Sequence, residues 1–296
     1  MCNFSITLER NTDHERKVPC GRCLKCKKKL SAEWLFRLQH EVKEHNTPYY
    51  VTFTYNDVWL PYKYDKSRNT NIPSLMYQDL QKYFKRLRKK TKQNVRYFAV
   101  GEYGSKRGRP HYHAIIFNVS NVDDIVNCWS INNSSLGYVY VDKFDLSLGG
   151  GSYLTKYLVK DKFDRKKDVR EPTKLLVSKG FGKSYLTESV QSWHNSNPYQ
   201  NSYVVSNGQK VPIPRYLKDK IFKPKSEERE LLTSAMQDLS RRLFDEKFRS
   251  YQKRYPKLSE DEIYKMIENN EISKNFSTFE KTKSKYYGKK SRKILQ

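Results

Sequence analysis

Two strand-like runs, VRYFAVGEYG at 95–104 and HYHAIIFN at 111–118, are joined only by the turn residues SKRGRP. So short a link makes the two runs an antiparallel hairpin. The hairpin fixes the reading of its surroundings. YYVTFTYND at 49–57 is rich in β-branched and aromatic residues and ends in Asn-Asp, so it reads as a strand. After a loop holding Pro61 and Pro73, SLMYQDLQKYFKRLRKKTK at 74–92 reads as a helix, with Leu75, Leu80, Phe84 and Leu87 near helical spacing. Past the hairpin, NVDDIVNCWS at 121–130 reads as a short helix and LGYVYVDKFD at 136–145 as a strand. GGGSYLTKYLVKD at 149–161 is a glycine-rich loop opening into a helix. The order β-α-β-β-α-β predicts an α+β fold around a ferredoxin/RRM-like antiparallel sheet with packed helices.

The flanks divide the rest of the chain. Residues 1–48 carry a cysteine cluster and then LSAEWLFRLQHEV, where Leu30, Trp34, Leu38 and Val42 recur every fourth residue as in an amphipathic helix. This segment is expected to pack on the core formed by 49–165. Residues 166–224 include VSKGFGKSY and VPIPRYLKDK, which carry turn residues and read as ordered loops. Residues 225–296 read as a helical, basic extension. A long helix runs from Lys225 to about Tyr255, and Ser259 with Glu262 makes a capping box for the next. The tail KTKSKYYGKKSRK reads as disordered.

His111 and His113 sit two apart on a predicted strand and therefore project from one face, with Tyr112 and Ala114 on the other. Two imidazoles hold a divalent ion poorly, and a third donor must come from a neighbouring strand. A turn centred on Lys106 and Arg107 puts Glu102 across from His111. Two nitrogens and one carboxylate oxygen would suit Mn²⁺, Mg²⁺ or Zn²⁺ and leave positions open for a phosphate. The bland alternative is a surface histidine, an interior one and a solvated glutamate. Downstream, Tyr153 and Tyr157 are spaced i and i+4, on one helix face, with Lys156 on an adjacent face. A phenol, with its pKa near 10, is a poor nucleophile unless a metal polarises the phosphodiester and a cation supports phenolate character. The pair could equally be amphipathic core.

Charge points the same way. The formal net charge is +26, and such an excess attracts polyanions, nucleic acid first. Aromatics make up 14% of residues, including 23 tyrosines, and tyrosine mixed with basic residues suits base stacking on single strands. Part of the Lys and Tyr excess can reflect an AT-rich genome. Lys85, Arg86, Arg88, Lys89, Arg107 and Arg109 are the candidate DNA-binding side chains, their affinity falling with salt. No segment approaches the ~18 apolar residues of a membrane span, and no signal-peptide core is present, which predicts a soluble intracellular chain. Five cysteines and no export signal argue against a disulfide framework. Cys20, Cys23 and Cys26 form C-x2-C-x2-C, with Cys2 a candidate fourth ligand for structural zinc and Cys128 its rival. An iron–sulfur centre or reduced thiols are the alternatives.

PCGRCLKC, VTFTYND, GEYGSKRGRPHYHAIIF, SYLTKYLVK and PIPRYLKDK together resemble the His-hydrophobe-His (HUH) endonucleases that start rolling-circle replication. More narrowly, they are similar to the replication initiation proteins of microviruses, small single-stranded DNA phages of gokushovirus type. The likeness covers roughly residues 1–222, with Tyr112 as the hydrophobe. It implies a nick in single-stranded origin DNA by metal-dependent tyrosine transesterification. The products are a 5′-phosphotyrosine and a free 3′-OH, and the strand is rejoined later. It implies His111, His113 and Glu102 as ligands for Mn²⁺ or Mg²⁺, Tyr153 and Tyr157 as alternating nucleophiles, and Lys156 as the cation steering the phosphate. A host helicase and polymerase are implied partners, and the bacterial cytoplasm the setting. Two other functions compete. One is a non-catalytic single-strand binder that stacks bases on Phe53, Tyr55, Phe98 and Tyr112 of an RRM-like sheet. The other is a related tyrosine transposase or relaxase.

Overall fold

The structure is a computed structural model and describes residues 6–8, 16–21, 23–45, 48–104, 107–146, 168–206, 208–224 and 226–267. In chain order it contains β1 (Ile6–Leu8), β2 (Arg16–Val18), α1 (Leu24–Glu44), β3 (Tyr49–Thr54), β4 (Tyr62–Asp65), β5 (Thr70–Pro73), α2 (Tyr77–Thr91), β6 (Arg96–Tyr103), β7 (Pro110–Phe117), α3 (Val122–Asn127), β8 (Ser130–Ile131), β9 (Ser134–Ser135), β10 (Val139–Lys143) and β11 (Leu175–Val177). A 3₁₀ turn (Lys183–Tyr185) then leads to α4 (Glu188–Ser196), β12 (Tyr203–Ser206), β13 (Gln209–Pro212), α5 (Arg215–Ile221) and α6 (Glu227–Arg254). The chain divides into two compact units: residues 30–187, and residues 1–29 with 188–296.

The first unit is built on a five-stranded sheet in the order β10-β3-β7-β6-β11, with every neighbouring pair antiparallel. Strand alternation sends Val51, Phe53, Ala99, Tyr112, Ala114 and Ile116 to one face. There they form a core with Leu80, Tyr83, Phe84 and Leu87 of α2 and Ile125 of α3. These α2 positions fall on one stripe at helical spacing, which is why this highly basic segment still folds as a helix. Lys92 ends it in the left-handed conformation, at φ 55°. The other face sends Phe98, Val100, Ile115 and Phe117 against Leu38 of α1 and Phe181, with Trp34 and Val42 at the margin. Only half of this second face is apolar. The half toward the β6–β7 turn is polar.

Glu41 fastens α1 to the sheet. Its side chain is 4% exposed, it pairs with Arg96 of β6, and it accepts from the Gly182 backbone N–H at 2.6 Å and faces His45 Nε2 at 3.3 Å. Gly182 has φ +70°, and a Cβ there would lie 2.6 Å from the Arg37 carbonyl oxygen, so glycine is required. Replacing Glu41 with Ala strands Arg96 and the Gly182 N–H. The expected loss is about 3–5 kcal/mol of unfolding free energy, read from urea unfolding of the full chain.

Several elements depart from the sequence reading. The expected loop around Pro61 and Pro73 is a hairpin, β4 with β5, paired Tyr62 to Pro73 and turned by Asp65, whose carboxylate accepts from Ser67 N and Oγ. Its outward strand residues show no half-buried alternation, which hid it from the pattern. The expected helix at 121–130 stops at Asn127. It gives way to β8 and β9 because Asn132 and Asn133 both take positive φ, 48° and 63°, as a two-residue hairpin turn demands. Residues 166–224, expected as loops, contain β11, α4, β12, β13 and α5, and β11 completes the sheet edge beside β6. The second unit also carries the expected long helix, α6, capped by Ser226. The Ser259–Glu262 capping box opens a helical stretch at 260–267. The expected helix at 149–161 lies outside the described residues.

Candidate metal centre

The β6–β7 hairpin aligns Glu102 directly with His111, the register implied by a turn centred on Lys106 and Arg107. Gly108 makes the turn at φ +63°, and the Gly104 N–H donates to the Arg109 carbonyl at 2.9 Å. His111, His113 and Glu102 emerge on the polar half of the second sheet face. Their donor atoms all lie within 4.8 Å of one another. A single carboxylate oxygen, Glu102 Oε2, sits 3.3 Å from His111 Nε2 and 3.2 Å from His113 Nε2. The side chains of Glu102, His111 and His113 are 14%, 20% and 7% exposed, so the cluster is sheltered yet open at one side.

The atoms behind the histidines determine what this cluster can do. His113 Nδ1 lies 2.6 Å from the Tyr50 hydroxyl and 3.1 Å from Thr52 Oγ1. His111 Nδ1 lies 3.3 Å from the Arg109 carbonyl oxygen. Each ring thus has an acceptor at Nδ1, which places the proton there and turns the Nε2 lone pair toward Glu102. That is the tautomer a metal-binding histidine needs, fixed by an outer partner. The donor set fits a divalent ion of the Mn²⁺ or Zn²⁺ kind, and Mg²⁺ with added oxygen ligands. Sequence reasoning missed Tyr50 and Thr52. Their signal was available, because residues two apart on β3 share the histidines' face, and Thr52 pairs with His113.

Tyr112, between the histidines, points into the opposite core. It is fully buried, its hydroxyl accepts from the Met76 N–H at 2.8 Å and lies 3.3 Å from that of Tyr55. Burial pushes the Tyr55, Tyr77 and Tyr112 phenols well above their ordinary range, so all three stay protonated and structural. Phe53, Tyr55, Phe98 and Tyr112 are all buried, at 4% exposure or less. The stacking platform expected of them for a non-catalytic binder is therefore not available, because all four side chains are spent on the two cores.

Tyr153, Lys156 and Tyr157 lie outside the described residues, as does Cys2. The chain on either side of 147–167 is anchored to the sheet. Leu146 packs at the second-face core, and Arg170 stacks over Tyr103, 4.7 Å from the ring centre, with Nη1 3.2 Å from where a Gly108 Cβ would stand. Of the basic residues, Lys85 and Lys89 are exposed on α2, across the sheet from the histidines. Arg86 donates to the Cys128 carbonyl, Arg88 to the Val95 carbonyl, and Arg109 to Asp57 and the Tyr55 carbonyl. These three arginines brace the fold, and Arg107 is exposed at the turn. In the second unit the sulfur atoms of Cys20, Cys23 and Cys26 lie within 4.8 Å of one another at the start of α1. Three sulfurs at a helix N-terminus can hold a metal as thiolates. Cys128 is not with them; it is buried in the core of the first unit, and burial pushes its thiol up.

No helix among the described residues is long and apolar enough to cross a membrane. Residues 48–162 match the family of replication-associated proteins of the ORF2 type. That stretch holds the histidine pair, Glu102 and both candidate tyrosines. The chain is similar to Replication-associated protein ORF2 of Spiroplasma virus 4, 29% identical over 225 residues, 67% of this chain and 66% of the relative. It is similar to Replication-associated protein VP4 of Bdellovibrio phage phiMH2K, 27% identical over 68% of this chain and 66% of the relative. Replication-associated protein ORF4 of Chlamydia phage 1 is 25% identical over 76% of this chain and 59% of that protein. The matched region thus spans just under two thirds of the first two relatives. No solved structure matches the chain.

Proposed function

We propose that the chain is a phage replication initiator of the HUH type that nicks single-stranded DNA at an origin and later rejoins it. The observation that carries the reading is the pair of Nε2 atoms converging on one Glu102 oxygen, each with an acceptor behind its ring. The similarity to replication-associated proteins supports it independently. So does the strand order, in which β3 lies between β7 and β10, and β7 between β3 and β6, as in a ferredoxin-like split βαβ sheet.

Glu102, His111 and His113 would hold Mn²⁺ or Mg²⁺. Such an ion, when bound, neutralises charge on the scissile phosphate and makes its phosphorus a better electrophile. Tyr153 or Tyr157 then attacks with its phenolic oxygen as its proton leaves. The new bond joins phosphorus to the tyrosine, and the bond to the 3′ oxygen breaks. That oxygen takes up a proton as a free 3′-OH, and the 5′ side stays linked to the protein. Lys156 supports the phenolate and the developing negative charge. The second tyrosine performs the next cleavage, and the released 3′-OH reverses the chemistry to close a circle. Tyr50 and Thr52 keep His113 in the ligating tautomer. Tyr50→Phe should therefore weaken Mn²⁺ binding about tenfold and Tyr50→Phe with Thr52→Val toward about 100-fold, read by titration calorimetry.

The test of the whole reading is nicking of a radiolabelled origin oligonucleotide with Mn²⁺, resolved on a denaturing gel. A cut product and a protein-linked band, both lost in EDTA, are expected. Metal-independent binding without either band would replace this reading with a non-catalytic binder.

A further inference from the structure

Two exposed aromatic rings flank the histidine cluster and serve no core. Tyr138 is 70% exposed and Tyr140 45% exposed. β10 is an edge strand, and its register aligns Tyr140 with Thr52, which in turn aligns with His113. Val139 and Val141 belong to the core with α2, so by alternation Tyr138 and Tyr140 lie on the opposite face, that of Glu102, His111 and His113. The Tyr138 carbonyl accepts from Thr54 N and Oγ1, both at 2.9 Å, which ties this end of β10 to β3. The Tyr140 hydroxyl donates to Asp142 at 3.2 Å, fixing the ring's tilt. Two strand spacings, about 10 Å, separate Tyr140 from His113 across the sheet.

We propose that Tyr138 and Tyr140 form a stacking platform for bases of the single strand whose phosphate lies at Glu102, His111 and His113. The inference rests on the nicking reading for the identity of its ligand. Rigid aromatic faces left in water are what sequence-tolerant single-strand binding uses, because every base offers a π-face. The chain's +26 charge favours the same polyanion. The platform continues the candidate centre along the sheet, so one strand engages both: bases over β10, a backbone phosphate over β7. The buried aromatics Phe53, Tyr55, Phe98 and Tyr112 play no part in it.

The test is binding of the full chain, in EDTA, to a fluorescent oligothymidylate and to an abasic oligomer of the same length. Tyr138→Ala with Tyr140→Ala should weaken oligothymidylate binding about tenfold or more, leave abasic binding unchanged and leave the salt slope unchanged. Tyr138→Phe with Tyr140→Phe should bind as the parent does. Equal affinity of the Ala pair and the parent overturns the proposal, as does equal loss on both oligomers or failure of the Phe pair. A change in oligomeric state alone assigns the rings to contact between copies and also overturns it. Because this assay is free of metal and cleavage, its failure is distinct from a failure of nicking in Mn²⁺.

Discussion

His113→Ala is expected to abolish Mn²⁺-dependent nicking. His113 is the most enclosed member of the centre, at 7% side-chain exposure, and the one held by two side-chain acceptors, Tyr50 and Thr52. Its removal leaves Glu102 and His111, a pair too few to orient an ion against competition from water. Loss of an outer partner already costs about 10–100-fold in metal affinity or activity, so loss of a ligand should exceed that. Glu102→Gln keeps the side-chain size and removes the charge, which separates ligation from packing. Titration calorimetry with Mn²⁺ and the nicking gel should fall together for both variants, while circular dichroism stays that of the parent. Wild-type nicking rates in both would end the assignment of this centre.

Tyr153→Phe combined with Tyr157→Phe is expected to remove the covalent protein–DNA product, with a drop on the order of a thousandfold or more, as when any enzyme loses its nucleophile. Each single variant should retain one cleavage and lose the paired cutting and rejoining that needs two phenols. The readout is the protein-linked band on a denaturing gel, with Mn²⁺ binding measured alongside. Binding should be intact, since these tyrosines are not among the three ligands. A persistent adduct in the double variant would sink the nucleophile assignment and leave the metal centre standing.

What the sequence disclosed, and what it withheld, follows from periodicity. β3, α2, β6 and β7 were legible because each buries one face, and burial forces alternation or helical spacing onto the residues. The cross-strand neighbour of His111 was legible because the turn is short enough to leave one register. The β4–β5 hairpin and β8–β9 were not, since their strands bury little and their identity lies in turn dihedrals at Asp65, Asn132 and Asn133. β11 was hidden because three residues, Leu175–Val177, are too few to show a period. The candidate DNA contacts misled for another reason. Sequence records the charge of Arg86, Arg88 and Arg109 but not the backbone carbonyls that engage them. Tyr50 and Thr52 went unread because their value comes from a partner 61 to 63 residues away.

The one-to-one register of β6 with β7 also governs where this gene can tolerate insertion and deletion. Side chains alternate, so one residue added or removed within 96–103 or 110–117 would turn Glu102, or both histidines, into the tyrosine-lined core on the reverse side of the sheet. The turn between Tyr103 and Pro110 carries no such constraint beyond closing the hairpin. Length variation among descendants of this protein should therefore gather in that turn, and the two strands should change only by substitution.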